Sequence, residues 1–168
     1  MDSELRLLVM GVSGCGKSTL ATALAHSIGA GLIEGDEHHT PASQHKMREG
    51  HALDDADRAP WLDRLAALLV ASSGPTVLSC SALKRDYRDR LRRAAPGLRT
   101  VFIDIGMVEA SRRVASRSGH LFPASLVASQ FAALESPVGE ANVLRVSAEQ
   151  DVQTQTCSVL DWLGGDAG

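Results

Sequence analysis

The feature that most constrains this chain is a glycine-rich octapeptide that separates a short apolar run from a helical pattern. Residues 5–10 are apolar except for one arginine, which is typical of a buried strand. Residues 11–18 then read GVSGCGKS and match G-x-x-x-x-G-K-[ST] at every fixed position. After the loop, apolar residues recur at helical spacing, as Leu20, Ala21, Leu24, Ala25 and Ile28. A strand, this loop and a helix in that order predict a phosphate-binding loop within an α/β domain.

The fixed residues of this loop are suited to holding the phosphates of a nucleoside triphosphate. Glycines let the backbone curl so that successive N–H groups face phosphate oxygens, and the next helix adds the positive end of its dipole. We expect Lys17 to contact the β- and γ-phosphates and the Ser18 hydroxyl to ligate magnesium. The predicted cofactors are therefore ATP and Mg²⁺. The remaining cofactor contacts are expected from Gly11, Ser13, Gly14, Cys15, Gly16 and Thr19, with the cysteine as a small filler rather than a reactive thiol.

Short apolar runs and helix-period segments alternate along the remaining chain. Further strands are predicted at residues 32–33, 76–80, 98–105 and 142–146. Helices are predicted from Pro60 onwards and at residues 83–94, 108–117, 125–134 and 151–163. This alternation predicts parallel strands joined by crossover helices in one three-layer α/β/α domain over residues 1–168. Since parallel strands end at the same edge of a sheet, the groups that follow each strand should converge there.

Several ionisable residues follow the predicted strands and should meet at that edge. Asp36 comes directly after the second strand and could accept a proton from an attacking hydroxyl, orient that hydroxyl, or hold magnesium through water. Arg58 could clamp an anionic substrate. Lys84 opens a helix that also carries Arg85 and Arg88. One of these three cations could meet the substrate, while the others form a solvated face.

Two further segments border the predicted site. Residues 34–59 are polar and carry histidines at positions 38, 39, 45 and 51, whose spacing fits no familiar zinc pattern. A mobile substrate-binding segment is the better interpretation of this stretch. Trp61 begins an apolar helical face just beyond it and is expected in the core. Arg113 and Arg117 share one helix face and lead into a short polar loop at residues 118–123, which looks like a lid carrying a cation.

Charge and cysteine content narrow the class of protein. The chain has 17 basic and 20 acidic residues and a formal net charge of -3, which argues against general nucleic-acid binding. No apolar run is long enough to span a bilayer, and the N-terminus lacks the pattern of a secretory signal. The three cysteines are widely spaced and form no CxxC pair, which fits neither a disulfide framework nor a zinc site. We therefore expect a cytoplasmic enzyme with no nucleic-acid or membrane partner.

A set of short motifs accompanies the phosphate loop in a fixed order. They comprise Gly35-Asp36 with His39, Lys46-Met47 with Gly50, Leu53, Asp54, Asp55 and Asp57-Arg58 with Pro60-Trp61-Leu62, CSALK at 80–84 with Tyr87-Arg88, Arg117 with Gly119-His120 and Phe122, Gln130-Phe131, Leu134-Glu135, and Pro137. Together they resemble the gluconate kinase (gluconokinase) family of P-loop small-molecule kinases. The resemblance runs over about residues 11–137, most of the chain.

This resemblance implies a P-loop kinase fold with a parallel five-stranded sheet, a helical substrate-binding segment at about residues 36–60 and a short lid at about 117–124. It implies transfer of the γ-phosphoryl group of ATP to the 6-hydroxyl of D-gluconate, by a homodimer. It implies Asp36 as the base, Arg117 as the lid cation and Arg113 as the residue that stacks on adenine. The implied substrate contacts are Asp36, His39, Lys46, Arg58, Lys84 and His120.

Three positions depart from the family's pattern, and other functions remain open. Thr40 and Ser43 stand where the family usually has proline and asparagine, and Ala52 stands where proline is common. All three fall in the implied substrate segment. One alternative is a kinase of the same fold that acts on shikimate or a nucleoside monophosphate. Another is a nucleotide-binding switch, although the chain lacks the Asn-Lys-x-Asp motif that GTPases need.

Overall fold

The computed structural model describes residues 4–117 and 124–165. Five strands form one parallel sheet: β1 (Arg6–Met10), β2 (Gly31–Glu34), β3 (Thr76–Ser79), β4 (Arg99–Asp104) and β5 (Val143–Ser147). Their order across the sheet is β2-β3-β1-β4-β5, so that β1 is central. Val9 of β1 lies in register with Ser79 on one side and with Val101 on the other. The predicted five-stranded parallel sheet is confirmed.

Helices cover both faces of this sheet. They are α1 (Lys17–Ile28), α2 (Pro41–Arg48), α3 (Asp55–Ala71), α4 (Arg85–Ala94), α5 (Met107–Ala115), α6 (Val127–Ala133) and α7 (Val152–Gly165). Alternate residues of β1 serve two separate cores, because successive side chains of a strand point to opposite faces. Leu7 and Val9 pack with α1, α5, α6 and α7, whereas Leu8 and Met10 pack with α3 and α4. The predicted three-layer α/β/α architecture is confirmed.

The prediction that a helix begins at Pro60 is wrong. Helix α3 begins at Asp55 and continues through Pro60. A capping box starts the helix, because the Asp54 carboxylate accepts from the Asp57 amide at 2.8 Å and the Asp57 carboxylate accepts from the Asp54 amide at 2.9 Å. The earlier start places Arg58 in the first turn of the helix.

The polar stretch before α3 also contains more regular structure than its composition predicts. A 3-10 turn spans Gly35–His38, and α2 follows it. Thr40 caps α2 by accepting from the amide of Ser43 at 3.1 Å, and Pro41 takes the first helical position. Among the described residues, no helix combines the length and the apolar character that crossing a bilayer requires.

The sequence left open whether Arg88 contacts the substrate or lies on a solvated face, and the structure excludes the solvated face. Its side chain is fully buried and all its N–H groups are used. It bonds the Glu140 carboxylate at 2.6 and 3.0 Å and donates to the carbonyls of Ala82, Leu83 and Glu135 at 2.8–3.0 Å. The burial of this cation is possible because a carboxylate and three carbonyls satisfy its planar fork. Arg88 thereby fixes the loop between β3 and α4.

Candidate active site

A cavity of about 390 Å³ opens at the carboxyl edge of the sheet. The phosphate loop after β1, the turn after β2, the start of α3 and the loop after β3 all contribute to its wall. The predicted site residues that line it are Ser13, Gly14, Gly16, Lys17, Ser18, Thr19, Asp36, His39, Arg58 and Arg117. The structure therefore brings together groups that are far apart in the sequence, as expected for a parallel sheet.

Other predicted site residues lie beside the cavity rather than in its wall. Gly11 and Cys15 belong to the phosphate loop but do not line the cavity, and the Cys15 side chain is buried in the core. Lys46 and Lys84 are held in ion pairs on α2 and at the start of α4. Arg113 lies on α5. His120 and most of the predicted lid fall outside the described residues.

The phosphate loop has the compact curl that its glycines predict. Gly14 has φ +85°, and a β-carbon there would come within 2.9 Å of the Ala110 carbonyl oxygen. Only glycine avoids both the strain and the clash. Lys17 folds back over the loop and donates to the Val12 carbonyl at 3.1 Å. The loop then opens directly into α1, whose first residues line the cavity and whose N-terminus is capped by no side chain in the described part of the chain.

A carboxylate that the sequence reasoning missed lies beside the proposed magnesium ligand. The Ser18 hydroxyl donates to Glu34 Oε2 at 3.0 Å. That bond commits the hydroxyl proton and leaves the oxygen lone pairs available, and oxygen is the ligand type that magnesium prefers. Ser18 and Glu34 thus fit a magnesium site. Glu34 ends β2, so its position at the carboxyl end of a strand was a signal for it. No group of three or more His, Cys, Asp or Glu side chains that could hold a metal ion occurs in the part of the chain described.

Asp36, His39 and Trp61 form the wall opposite the phosphate loop. The Asp36 side chain is mostly exposed to the cavity, and its Oδ1 lies 3.9 Å from Nε2 of His39. The His39 ring stacks on Trp61 with 4.2 Å between ring centroids. Trp61 is buried as expected, yet it also lines the cavity and donates through Nε1 to the Gly35 carbonyl at 2.7 Å. Burial lowers the pKa of His39, against the opposing effect of Asp36.

Gly35 lets this wall approach the sheet. A β-carbon at position 35 would lie 2.5 Å from the Ser79 carbonyl oxygen of β3. Since real β-carbons do not come that close, the turn that carries Asp36 can sit here only with glycine before it. The Gly35-Asp36 motif therefore has a steric reason as well as a chemical one.

Arg58 is the cation of this wall and is held by a network between α3 and α4. It donates to the Tyr87 hydroxyl at 3.4 Å, and its guanidinium carbon lies 5.7 Å from the centre of the Tyr87 ring. Tyr87 donates to Asp55, which also accepts from Lys84 at 2.9 Å. Hydrogen bonds from Tyr87 and then Lys84 lower the pKa of Asp55, and the bond to Asp55 raises the pKa of Lys84.

Lys46 of α2 is likewise held by an aspartate at the start of α3. Its ammonium lies 2.6 Å from Oδ2 of Asp57, the capping-box residue of α3. This hydrogen bond raises the pKa of Lys46 and lowers that of Asp57. Lys46 and Lys84 are both committed to aspartates of the first turn of α3, so Arg58 is the cation among these three that lines the cavity.

Three residues from the second half of the chain lie at the site or beside it, and two of them, Arg117 and Gln130, line the cavity. Arg113 donates to the Ala148 carbonyl at 2.9 Å and pairs with Glu109 at 2.9 Å. Arg117, just beyond α5, lines the cavity. Gln130 of α6 accepts from the backbone amide of Ser13 at 2.6 Å and also lines the cavity. Sequence reasoning noted Gln130 only as part of a motif, because a contact across 117 residues leaves no local signal.

A central strand followed by a phosphate loop, with a carboxylate and an arginine facing that loop, defines a P-loop kinase of a small molecule. Residues 7–137 match the AAA domain family. A gluconokinase of Gluconobacter oxydans (strain 621H) is 49% identical over 148 residues, which cover 86% of this chain and 83% of the relative. The chain belongs to the gluconokinase family.

Solved structures agree with this assignment. A gluconokinase from Sinorhizobium meliloti 1021 superposes with a TM-score of 0.85 at 38% identity and covers 100% of both chains. A sugar kinase from Janibacter sp. HTCC2649 superposes with a TM-score of 0.90 at 36% identity, over 95% of this chain and 94% of that one. The family resemblance found in the sequence and the P-loop kinase fold are confirmed.

Proposed function

We propose that the protein transfers the γ-phosphoryl group of ATP to the 6-hydroxyl of D-gluconate, giving 6-phospho-D-gluconate and ADP. The observation that carries this proposal is that one cavity joins the phosphate loop to a wall containing Asp36 and Arg58. A phosphate loop alone suits any nucleotide-binding protein. A carboxylate and a cation across from it suit a substrate that presents both a hydroxyl and a carboxylate.

In the proposed reaction the loop amides and Lys17 hold the phosphates in place. A bond forms between the acceptor oxygen and the γ-phosphorus, while the bond from that phosphorus to the bridging oxygen of ADP breaks. The Asp36 carboxylate accepts the proton that the hydroxyl loses. Its side chain is exposed to the cavity, so an acceptor hydroxyl can reach it. Arg117 supplies positive charge to the phosphoryl group in transfer. Magnesium, when bound, neutralises phosphate charge, and Ser18 with Glu34 would hold it.

The acceptor is oriented from the other side of the cavity. Arg58 is proposed to bind the gluconate carboxylate, and its contact with Tyr87 keeps the guanidinium in the cavity wall. His39 is a proposed hydroxyl contact, and Lys46 and Lys84 support the segment through their aspartates. His120 is a further proposed contact in the lid, and Arg113 is proposed to stack on adenine. Residues 36–60 would then be the substrate-binding segment and 117–124 the lid of one domain.

The remaining proposals concern assembly and location. We propose a homodimer in the cytoplasm, with no nucleic-acid or membrane partner. The family resemblance supports the dimer, and the net charge of -3 argues against a nucleic-acid partner. Light scattering coupled to size-exclusion chromatography tests the dimer directly. A mass that stays at 17.8 kDa across a concentration series would contradict it.

A panel of acceptors tests the choice of substrate. The protein is assayed with ATP and magnesium against D-gluconate, other sugar acids, neutral sugars, shikimate and nucleoside monophosphates, and kcat/KM is compared. We expect the highest value for D-gluconate, because a neutral sugar leaves Arg58 without a carboxylate partner. A higher value for shikimate or a nucleotide would overturn the gluconate assignment while leaving the kinase class in place.

A further inference from the structure

Gln130 occupies an unusual place between the phosphate loop and the cavity. It lies on α6, is 9% exposed and lines the cavity wall. Its Oε1 accepts from the backbone N–H of Ser13 at 2.6 Å. Ser13 is the third residue of the phosphate loop, whose N–H groups ordinarily face phosphate oxygens. One of the loop's donors is therefore already paired within the protein.

This pairing fixes which way the carboxamide of Gln130 is turned. A backbone N–H can only donate, so the atom that faces Ser13 must be the amide oxygen. The NH₂ group then lies on the other side. Within residues 4–117 and 124–165, the Gln130 NH₂ group donates to no protein acceptor. It is also not one of the side-chain groups that are buried there without a partner. With respect to these described residues, two N–H donors thus remain unpaired on a side chain that lines the cavity next to the loop.

The bond to Ser13 also strengthens those donors. A hydrogen bond accepted by an amide oxygen polarises the amide and makes its own N–H groups better donors. The Gln130 carboxamide therefore extends the positive potential of the phosphate loop further into the cavity. The groups beyond the loop in a phosphoryl-transfer site are the outer oxygens of the nucleotide, on the γ-phosphoryl group.

We propose that Gln130 is a further catalytic residue, whose NH₂ group donates to the γ-phosphoryl oxygens of the bound nucleotide. The inference rests on the ATP-binding part of the proposed function and not on the identity of the acceptor. Gln130 is expected to stabilise both the bound γ-phosphate and the charge that its oxygens carry during transfer. It should contribute little to the binding of ADP, which lacks this group.

Two substitutions distinguish the bond that the Gln130 oxygen accepts from Ser13 from the N–H donors of its NH₂ group. Gln130→Glu keeps an oxygen for the Ser13 amide but places a carboxylate oxygen where the NH₂ group was. Gln130→Met keeps the length and removes both polar groups. Calorimetry measures Kd for ADP and for a non-hydrolysable ATP analogue with an imido bridge, in the presence of magnesium. Gln153→Glu is the matched control, since Gln153 is exposed on the first turn of α7 and the change adds the same charge.

We expect Gln130→Glu to weaken binding of the ATP analogue by at least about tenfold, because a repulsive charge replaces a charge-assisted hydrogen bond. Gln130→Met should weaken it by about threefold to tenfold. Both variants should lower kcat and bind ADP within about twofold of wild type. Gln153→Glu should match wild type for both nucleotides. Thermal unfolding identifies any variant that is not folded, and Gln130→Met carries the test if the carboxylate prevents folding.

Three results would overturn the inference. Equal weakening of ADP and the ATP analogue would mean that Gln130 only shapes the loop. A rise in the acceptor KM alone would place the NH₂ group on the acceptor. Unchanged Kd and kcat in both variants would remove Gln130 from the site. If the wild-type protein fails to phosphorylate gluconate, the acceptor assignment falls but the comparison of the two nucleotides still decides the role of Gln130.

Discussion

At the scale of single residues, His39 shows how its surroundings fix a protonation state. Its side chain is 7% exposed and its Nδ1 is buried without a hydrogen-bond partner in the described part of the chain. In the protonated ring Nδ1 would carry a hydrogen that finds no acceptor. The geometry therefore favours the neutral ring with its proton on Nε2, toward Asp36. Burial lowers the pKa of His39 in the same sense. His39 is thus suited to donate at the cavity wall, and Asp36 to act as base.

Replacement of His39 tests this assignment of the proton. Gln can place an amide donor near the position of Nε2, whereas Asn places its amide near Nδ1. We expect His39→Gln to retain about tenfold more kcat/KM than His39→Asn, the value of one well-placed hydrogen bond. Similar activity of the two variants would contradict a donor at Nε2. Steady-state kinetics at pH 8 provides the comparison.

The same residue predicts how stability depends on pH. The folded-state pKa of His39 lies below its unfolded value, so the unfolded chain takes up the proton first as pH falls. The wild type should therefore lose stability below about pH 6.5, and His39→Gln should lose less over the same range. Thermal unfolding from pH 8 to pH 5 measures the difference. Parallel curves for the two proteins would show that His39 is not held neutral.

Replacement of Asp36 should lower kcat with little effect on ATP binding, whereas replacement of Lys17 should remove a contact to the phosphates. Asp36→Asn keeps the shape of the side chain but cannot accept the proton, so kcat should fall by at least about a hundredfold while the Kd for ATP changes little. Lys17→Ala removes a phosphate contact and should abolish transfer. Equal loss of kcat and ATP affinity in Asp36→Asn would make Asp36 a nucleotide ligand instead of the base. Near-normal activity of Lys17→Ala would contradict its role.

At the scale of elements, the start of α3 connects local helix capping to the cavity wall opposite the phosphate loop. The capping box of Asp54 and Asp57 fixes the first turn, and Arg58 projects from that turn into the cavity. Asp57 in addition holds Lys46 of α2, and Asp55 holds both Lys84, which precedes α4, and Tyr87 of α4. The positions of side chains from α2, α3 and the start of α4 therefore depend on how this one helix begins.

Loss of the α3 cap should weaken the binding of the acceptor. Asp54→Ala removes the acceptor for the Asp57 amide and is expected to lower the melting temperature by about 2–4 °C and to raise the KM for gluconate. Asp151→Ala is the matched control, because Asp151 caps α7 by accepting from Thr154 at 2.7 Å and does not line the cavity. It should lower the melting temperature without changing KM. A KM effect of the same size in both variants would mean that the cap acts only through general stability.

The fold was largely predictable from the sequence because its signals are local. Apolar runs, helical spacing and the phosphate loop identified each strand and placed Asp36 at the shared edge. The start of α3 was missed, although Asp54 and Asp57 carry a capping pattern, because Pro60 is the more familiar sign of a first turn. The roles of Arg88 and Gln130 were not predictable. Their partners Glu140 and Ser13 lie 52 and 117 residues away, and no local pattern reports such contacts.

At the scale of the whole molecule, the sheet separates two cores and leaves the carboxyl edge free for the site. The core with α1 and α7 supports the phosphate loop, and the core with α3 and α4 supports the cavity wall opposite that loop. Cys15 belongs to the first core and Cys80 to the second, and both are buried, whereas Cys157 is exposed. Burial raises the pKa of Cys80 to about 12. The reactivity of each thiol therefore reports on a different region: Cys15 on the first core, Cys80 on the second and Cys157 on the surface.

Thiol reactivity should follow this arrangement. A disulfide reagent at pH 8 is expected to modify one thiol quickly in the native protein, and all three in denaturant, because only exposed thiolates react. Cys157→Ser should remove the fast reaction, and absorbance of the released thiol measures each phase. Rapid modification of Cys15 or Cys80 in the native state would show that one of the cores opens readily.

Identification of the reaction product tests whether the protein phosphorylates D-gluconate. The protein is incubated with ATP, magnesium and D-gluconate, and the products are followed by phosphorus nuclear magnetic resonance with mass spectrometry. We expect one phosphate monoester of gluconate, at the 6-hydroxyl, formed in equal amount to ADP. Release of inorganic phosphate with no phosphorylated gluconate, or no consumption of ATP, would contradict it.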